Sequence, residues 1–247
     1  MLPTILICLK NYFKKTFFYS ELLVVAAFFY IFIVKASVYT FAHDTFIIQL
    51  NAAIAFSGLL TAYRIFVYEL PETMTFINSS GRTKYYFSRL ITVCLINIII
   101  LAIFYISLYI YKGDSINDFS KYIMSLPPVL INNFISCALG VLFSPVVLSI
   151  HQVIHGIFFV SVGINLTAIA SFFDNVILKT IFSIIMYIFP PIEHLIALSV
   201  NPVFSGKDAM ITMIWGVLYT FIVIFAGYYI FKNKDIHTND KGIISTE

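Results

Sequence analysis

The residue types that could do chemistry are few in this chain, and their spacing narrows what they could do. His151 and His155 stand four apart and can share one helix face, as a pair of metal ligands does. No carboxylate or cysteine completes a set beside them, and the HExxH pattern is absent, so the competing reading is a polar turn at a membrane interface. Glu193-His194 is the other acid–base pairing; with His151 and His155 it would make an intramembrane hydrolase, the least favoured function. Cys94 and Cys137 fall inside apolar runs and Cys8 lies near the N-terminus, a spacing that gives neither a disulfide framework nor a metal site. The chain has no G-x4-G-K-[ST] phosphate loop, so any ATP hydrolysis it depends on would come from a separate polypeptide. The chain is therefore expected not to be an enzyme.

The remaining polar residues concentrate between Arg64 and Arg89, RIFVYELPETMTFINSSGRTKYYFSR, which carries Arg64, Arg82, Lys84 and Arg89. Pro71 suits the first turn of a short helix and Glu72 its positive end. Met74, Phe76 and Ile77 give that helix an apolar docking face. Ser79-Ser80-Gly81 stops it, with Gly81 free to take positive φ. A basic-edged helix then enters the membrane after Arg89. A solvated connector between two spans is the alternative for the same residues.

Composition fixes what must position this segment. Hydrophobic residues make up 60% and charged residues 11%, with a formal charge of +3, and mean hydropathy is +0.95. Such a balance excludes an ordinary soluble domain and gives no basic excess for nucleic acid. The expectation is an all-α polytopic membrane protein, one transmembrane domain over residues 1–247. The N-terminal lysines follow the first apolar residues, so a cleavable signal peptide is not expected.

In order, residues 1–20 form an interfacial amphipathic helix with Lys10, Lys14 and Lys15 on its polar face, or else a basic flank that orients the first span. Six spans follow, near 21–42, 45–68, 90–111, 122–150, 156–173 and 209–231. Pro127-Pro128 mark the start of the fourth span or a kink, and Pro145 a second kink. Ser136, Gly140 and Ser144 make a small-residue stripe for close helix contact. Residues 174–208 are split by Pro190-Pro191 into two pieces too short to cross, an outer re-entrant hairpin. This topology puts ten of the fifteen basic residues on the cytoplasmic side with both termini. At the hairpin, Asp174, Lys179 and Glu193 are candidates for an outer gate, with helix capping as the alternative role for each.

This order of elements resembles the ABC-2 type permease family, the membrane subunits of type V ABC exporters. The local likeness lies in Glu69, Glu72, Thr73, Phe76, Ser79-Ser80, Arg82, Tyr85 and Arg89. The resemblance implies that residues 71–78 are a coupling helix, with Glu69, Glu72, Thr73, Phe76, Ile77 and Arg82 as the contacts that couple the chain to a dimer of nucleotide-binding ATPase subunits. ATP and Mg2+ would be bound there, with no cofactor on this chain. It also implies a second permease copy, identical or homologous, in a bacterial cytoplasmic membrane. The Ile/Asn/Lys/Phe-rich composition is similar to that of Gram-positive exporters of antimicrobial or toxin peptides, including phenol-soluble modulin exporters. The expected function is export of an amphipathic or hydrophobic substrate. The alternative from another class is a non-transporting immunity or sensor protein that sequesters a peptide.

Overall fold

The computed structural model describes residues 2–14, 23, 26, 27, 30, 43–67, 81–112, 119–148, 153–171, 188–202, 206–234, 237–238 and 244–245. Within them the chain is helical apart from one short β pairing of His237–Thr238 with Ile244–Ser245. The helices are α1 (Leu2–Lys14), α2 (His43–Val67), α3 (Arg82–Lys112), α4 (Phe119–Met124), α5 (Leu126–Leu142), α6 (Val153–Ile164), α7 (Leu166–Ala170), α8 (Ile192–Val200) and α9 (Lys207–Asn233).

Four described stretches are long and apolar enough to cross a membrane: 43–66, 82–110, 119–142 and 207–233. That is the pattern of a membrane protein. The span expected at 21–42 lies outside the described residues. The run expected to cross at 156–173 is broken at Asn165 into α6 and α7. In succession they run over 153–170, about 27 Å, and residues 172 and 173 lie outside the described residues. α3, by contrast, has 31 residues and a length of about 46 Å. Its charged ends at Arg82–Arg89 and Lys112 therefore have room to emerge from an apolar layer.

The central element is α5, from which Asn132, Asn133 and Ile135 through Val141 are buried. It packs against α2, α3, α8 and α9. Its start explains the proline pair. Pro127 and Pro128 fall in the first turn, where a missing N–H leaves no internal hydrogen bond unmade. Ser125 separates α4 from α5, and its hydroxyl donates to the Tyr122 carbonyl at 2.7 Å. α4 and α5 thus form one kinked crossing, and Lys121, expected in the preceding loop, belongs to α4. The C-terminal end comes at Leu142, three residues before Pro145, rather than near Ile150.

At the other extreme, α9 has only 17% of its most apolar window buried, against 67% for the α4–α5 crossing. Phe221, Ile222, Phe225 and Tyr229 are among its exposed residues. α1 buries Ile5 and Tyr12 and packs against α3, leaving Leu2, Leu6, Ile7, Phe13 and Lys10 exposed.

Candidate functional site

Two polar constellations stand out in this apolar bundle. The first is a seam where α2, α3 and α5 meet. Close approach of α2 and α5 makes it possible. A Cβ on Gly140 would lie 2.6 Å from the Ala62 Cβ and 2.9 Å from the Leu59 Cα, and one on Gly58 would lie 3.1 Å from the Ser136 Cβ. Ser136 and Gly140 of the small-residue stripe therefore do face a neighbouring helix. Along this crossing Asn132 Nδ2 donates to Asn51 Oδ1 at 2.9 Å, and Asn51 Nδ2 donates to the Ile47 carbonyl at 2.9 Å. The Ser57 hydroxyl donates to Asn97 Oδ1 at 2.9 Å, and Asn97 Nδ2 donates to the Val93 carbonyl at 3.0 Å. Cys137 Sγ lies 3.5 Å from Asn133 Oδ1.

Asn132 and Asn133 are fully buried, yet among the described residues Asn132 Oδ1 and Asn133 Nδ2 have no hydrogen-bond partner. Each such orphan costs about 1–3 kcal/mol. Among the described residues the seam contains amides, hydroxyls and thiols and no carboxylate or lysine. It holds helices by hydrogen bonding.

The second constellation is the basic end, where the start of α3 meets the ends of α2, α5 and α9. Gly81 leads into it with φ +82°, the left-handed conformation expected at the stop signal. The Arg82 guanidinium then donates to the carbonyls of Lys232 and Lys234 at 2.6 and 2.8 Å. Those carbonyls lack intrahelical donors at the negative end of α9, so a cation suits them doubly. Lys234 in turn donates to the carbonyls of Val147 at 3.0 Å and Leu148, just beyond α5. Partial burial holds the Lys234 ammonium below its usual pKa. Arg89 donates to the Ile65 carbonyl at 2.8 Å, near the end of α2, and lies over the Tyr85 ring at 5.1 Å.

Aromatic side chains fill in behind these cations. Tyr85 stacks on Phe231 with centroids 5.6 Å apart. Tyr86 donates to the Ile224 carbonyl at 3.0 Å, and the absent side chain at Gly227 leaves room for its hydroxyl. One clasp therefore joins four helix ends.

Between α3 and the α4–α5 crossing lies a third feature, an apolar groove of about 450 Å³. Leu101, Tyr105, Tyr109, Phe119, Leu126 and Leu130 help to line it.

Of the residues singled out from the sequence, Arg82 belongs to the clasp. Glu69, Glu72, Thr73, Phe76 and Ile77 lie outside the described residues, as do Lys15, Asp174 and Lys179. Lys14 ends α1, and Lys10 is exposed on it. Glu193 accepts a hydrogen bond at 2.6 Å from the Thr167 backbone N–H, in the first turn of α7. That hydrogen bond satisfies a backbone N–H that the first turn of α7 leaves without an intrahelical partner. His155 and His194 are exposed, and among the described residues no three His, Cys, Asp or Glu side chains gather to hold a metal.

Arg89 and Lys234 were not marked as carbonyl ligands by any sequence pattern. Asn97, Asn132 and Asn133 did carry a signal, as amides within apolar runs, but not their partners. Comparison with protein-family models, with curated proteins and with solved structures finds no match for this chain.

Proposed function

We propose that this chain is the membrane-spanning permease subunit of an ATP-driven ABC exporter. The observation that carries the reading is the clasp at Arg82. Segment 64–89 leads directly into Arg82, whose guanidinium holds the last carbonyls of α9, while Lys234 holds the carbonyls that follow α5. A displacement applied to that segment would therefore reach α3, α5 and α9 together. Docking of Glu69, Glu72, Thr73, Phe76 and Ile77 on a separate ATPase would use this linkage to bias the bundle between two arrangements. The finer topology proposed is six crossings with both termini cytoplasmic, an outer hairpin over 174–208, and a second permease copy. The exposed face of α9 is available for such a copy.

The proposed cargo is amphipathic or hydrophobic, in keeping with a peptide. Two observations support that choice: the seam is neutral, and the groove of about 450 Å³ is lined by apolar and tyrosine side chains. The same groove also suits a peptide-sequestering immunity or sensor protein, which needs no ATPase. Co-purification separates the two. The tagged chain should retain the ABC ATPase encoded beside it, and a Glu72→Arg/Phe76→Asp variant, inserted and helical, should lose it. Equal retention by the variant, or no ATPase with the wild type, would overturn the exporter reading in favour of sequestration.

A further inference from the structure

We infer that the α3–α9 face of the basic end is a binding site for one anionic phospholipid. The inference rests on membrane placement of the helices and not on the exporter reading. Arg82 and Lys234 are occupied by carbonyls, but two neighbouring cations are not. Lys84 and Lys232 are exposed, and neither has a hydrogen bond or ion pair among the described residues. Arg82, two residues before Lys84, bonds the carbonyl of Lys232, so both lysines stand at the same end of the α3–α9 pair.

No described carboxylate lies nearby to neutralise them. The described acids are Asp44, Glu193 and Asp208. Asp208 starts α9, about 36 Å along the helix from Lys232. Asp44 starts α2, about 32 Å from the Ile65 end that Arg89 holds. Glu193 is engaged at α7. Among the described residues, therefore, no carboxylate stands against the positive charge of this cluster.

The residues below the charges fit the rest of a phospholipid. Thr83 Oγ1 and the Tyr228 hydroxyl lie 2.8 Å apart, exposed between the same two helices, and can turn to a phosphate or glycerol oxygen. Phe87 packs 5.4 Å from Tyr228 and forms an aromatic shoulder beneath them. Further from the charged end, Ile91 on α3 and Phe221 and Phe225 on α9 are exposed and apolar. Cations, then hydroxyls, then an aromatic ring, then an apolar stripe is the order of parts met by an anionic headgroup, its glycerol and an acyl chain. A free phosphate would use only the first of these.

Native mass spectrometry of the full chain in mild detergent tests this, titrating phosphatidylglycerol against phosphatidylcholine with the same acyl chains. Alkaline extraction of membranes, run separately, reports insertion and so tests the premise on its own. A juxtamembrane lysine is worth about fivefold in affinity for an anionic lipid. Lys84→Gln/Lys232→Gln should therefore weaken phosphatidylglycerol binding about 25-fold, leave phosphatidylcholine binding unchanged, and preserve helicity because both side chains are exposed. Binding of phosphatidylglycerol should also weaken as salt rises. Equal binding of the two lipids by the wild type, or an unaltered phosphatidylglycerol affinity in the variant, would overturn the site. Displacement of the lipid by millimolar inorganic phosphate would reassign it to a soluble anion. Loss of the partner ATPase with lipid binding retained would reassign it to protein docking.

Discussion

Replacing Gly140 by alanine tests whether the α2–α5 crossing is as close as the structure has it. The new Cβ would lie 2.6 Å from the Ala62 Cβ, 2.9 Å from the Leu59 Cα and 3.1 Å from the Gly58 carbonyl oxygen. Carbon atoms in contact prefer about 3.5–4.0 Å, and none of these three can rotate out of the way. The helices must separate by several tenths of an ångström or more, loosening contacts along the seam. Overpacking of this kind costs about 1–3 kcal/mol, and the helix preference of alanine over glycine returns about 1 kcal/mol. The expected net effect is therefore a loss of about 0–2 kcal/mol.

The assay is unfolding in mixed dodecyl maltoside and SDS micelles, followed by helicity, with the SDS midpoint as readout. Ala62→Gly in the same background removes the shortest contact and should recover part of the loss, a coupling that independent sites would not show. Gly206→Ala is the control, since nothing lies within 4 Å of its Cβ position. As Gly206 precedes α9, it should shift stability by only a few tenths of a kcal/mol. A Gly140→Ala protein clearly more stable than wild type, or Gly140→Ala and Ala62→Gly effects that simply add, would refute the crossing.

Other perturbations probe the two polar constellations. Arg82→Gln should free the last carbonyls of α9 at a cost of about 1–2 kcal/mol, and hydrogen exchange should quicken at residues 229–234 before the rest of α9. Asn51→Leu and Asn132→Leu should each destabilise the bundle, and their double-mutant cycle should give a coupling of about 0.6–1.7 kcal/mol; zero coupling would mean the amides are not paired. Lys234 has its pKa lowered below 10.5 by burial. Between that lowered value and 10.5 the unfolded chain binds more protons, so its contribution raises stability as pH rises through the window. The difference in SDS midpoint between wild type and Lys234→Met should carry that slope, and a flat difference would contradict the buried placement of the ammonium.

Much of the local structure was legible because its causes are local. Apolar runs longer than a bilayer core mark α2, α3 and α9, whose observed bounds of 43–67, 82–112 and 207–233 extend the expected spans of 45–68, 90–111 and 209–231. Pro127-Pro128 at the start of α5 and the positive φ at Gly81 follow from the covalent geometry of proline and glycine, whereas the helix expected to run to about Ile150 with a kink at Pro145 ends at Leu142. The spacing of Ser136 and Gly140 announced a close contact, because residues four apart share a helix face. The run expected to cross at 156–173 shows the limit of such reading: hydropathy does not register the break at Asn165, whose Nδ2 donates to the Ser161 carbonyl.

Partnership was not legible at all. Asn132 meets an amide 81 residues away, and Arg82 meets carbonyls 150 and 152 residues away. A side chain carries its hydrogen-bonding capacity in its own formula, and a helix its terminal carbonyls in its own length, but which of them meet depends on how whole helices are placed. The sequence by itself determined the apolar helices, their stops and their small-residue face. Only the packing of those helices decided that Arg82 and Lys234 would bind carbonyl ends into a clasp while Lys84 and Lys232 stayed exposed, because rigid helices bring some ends together and leave others outside.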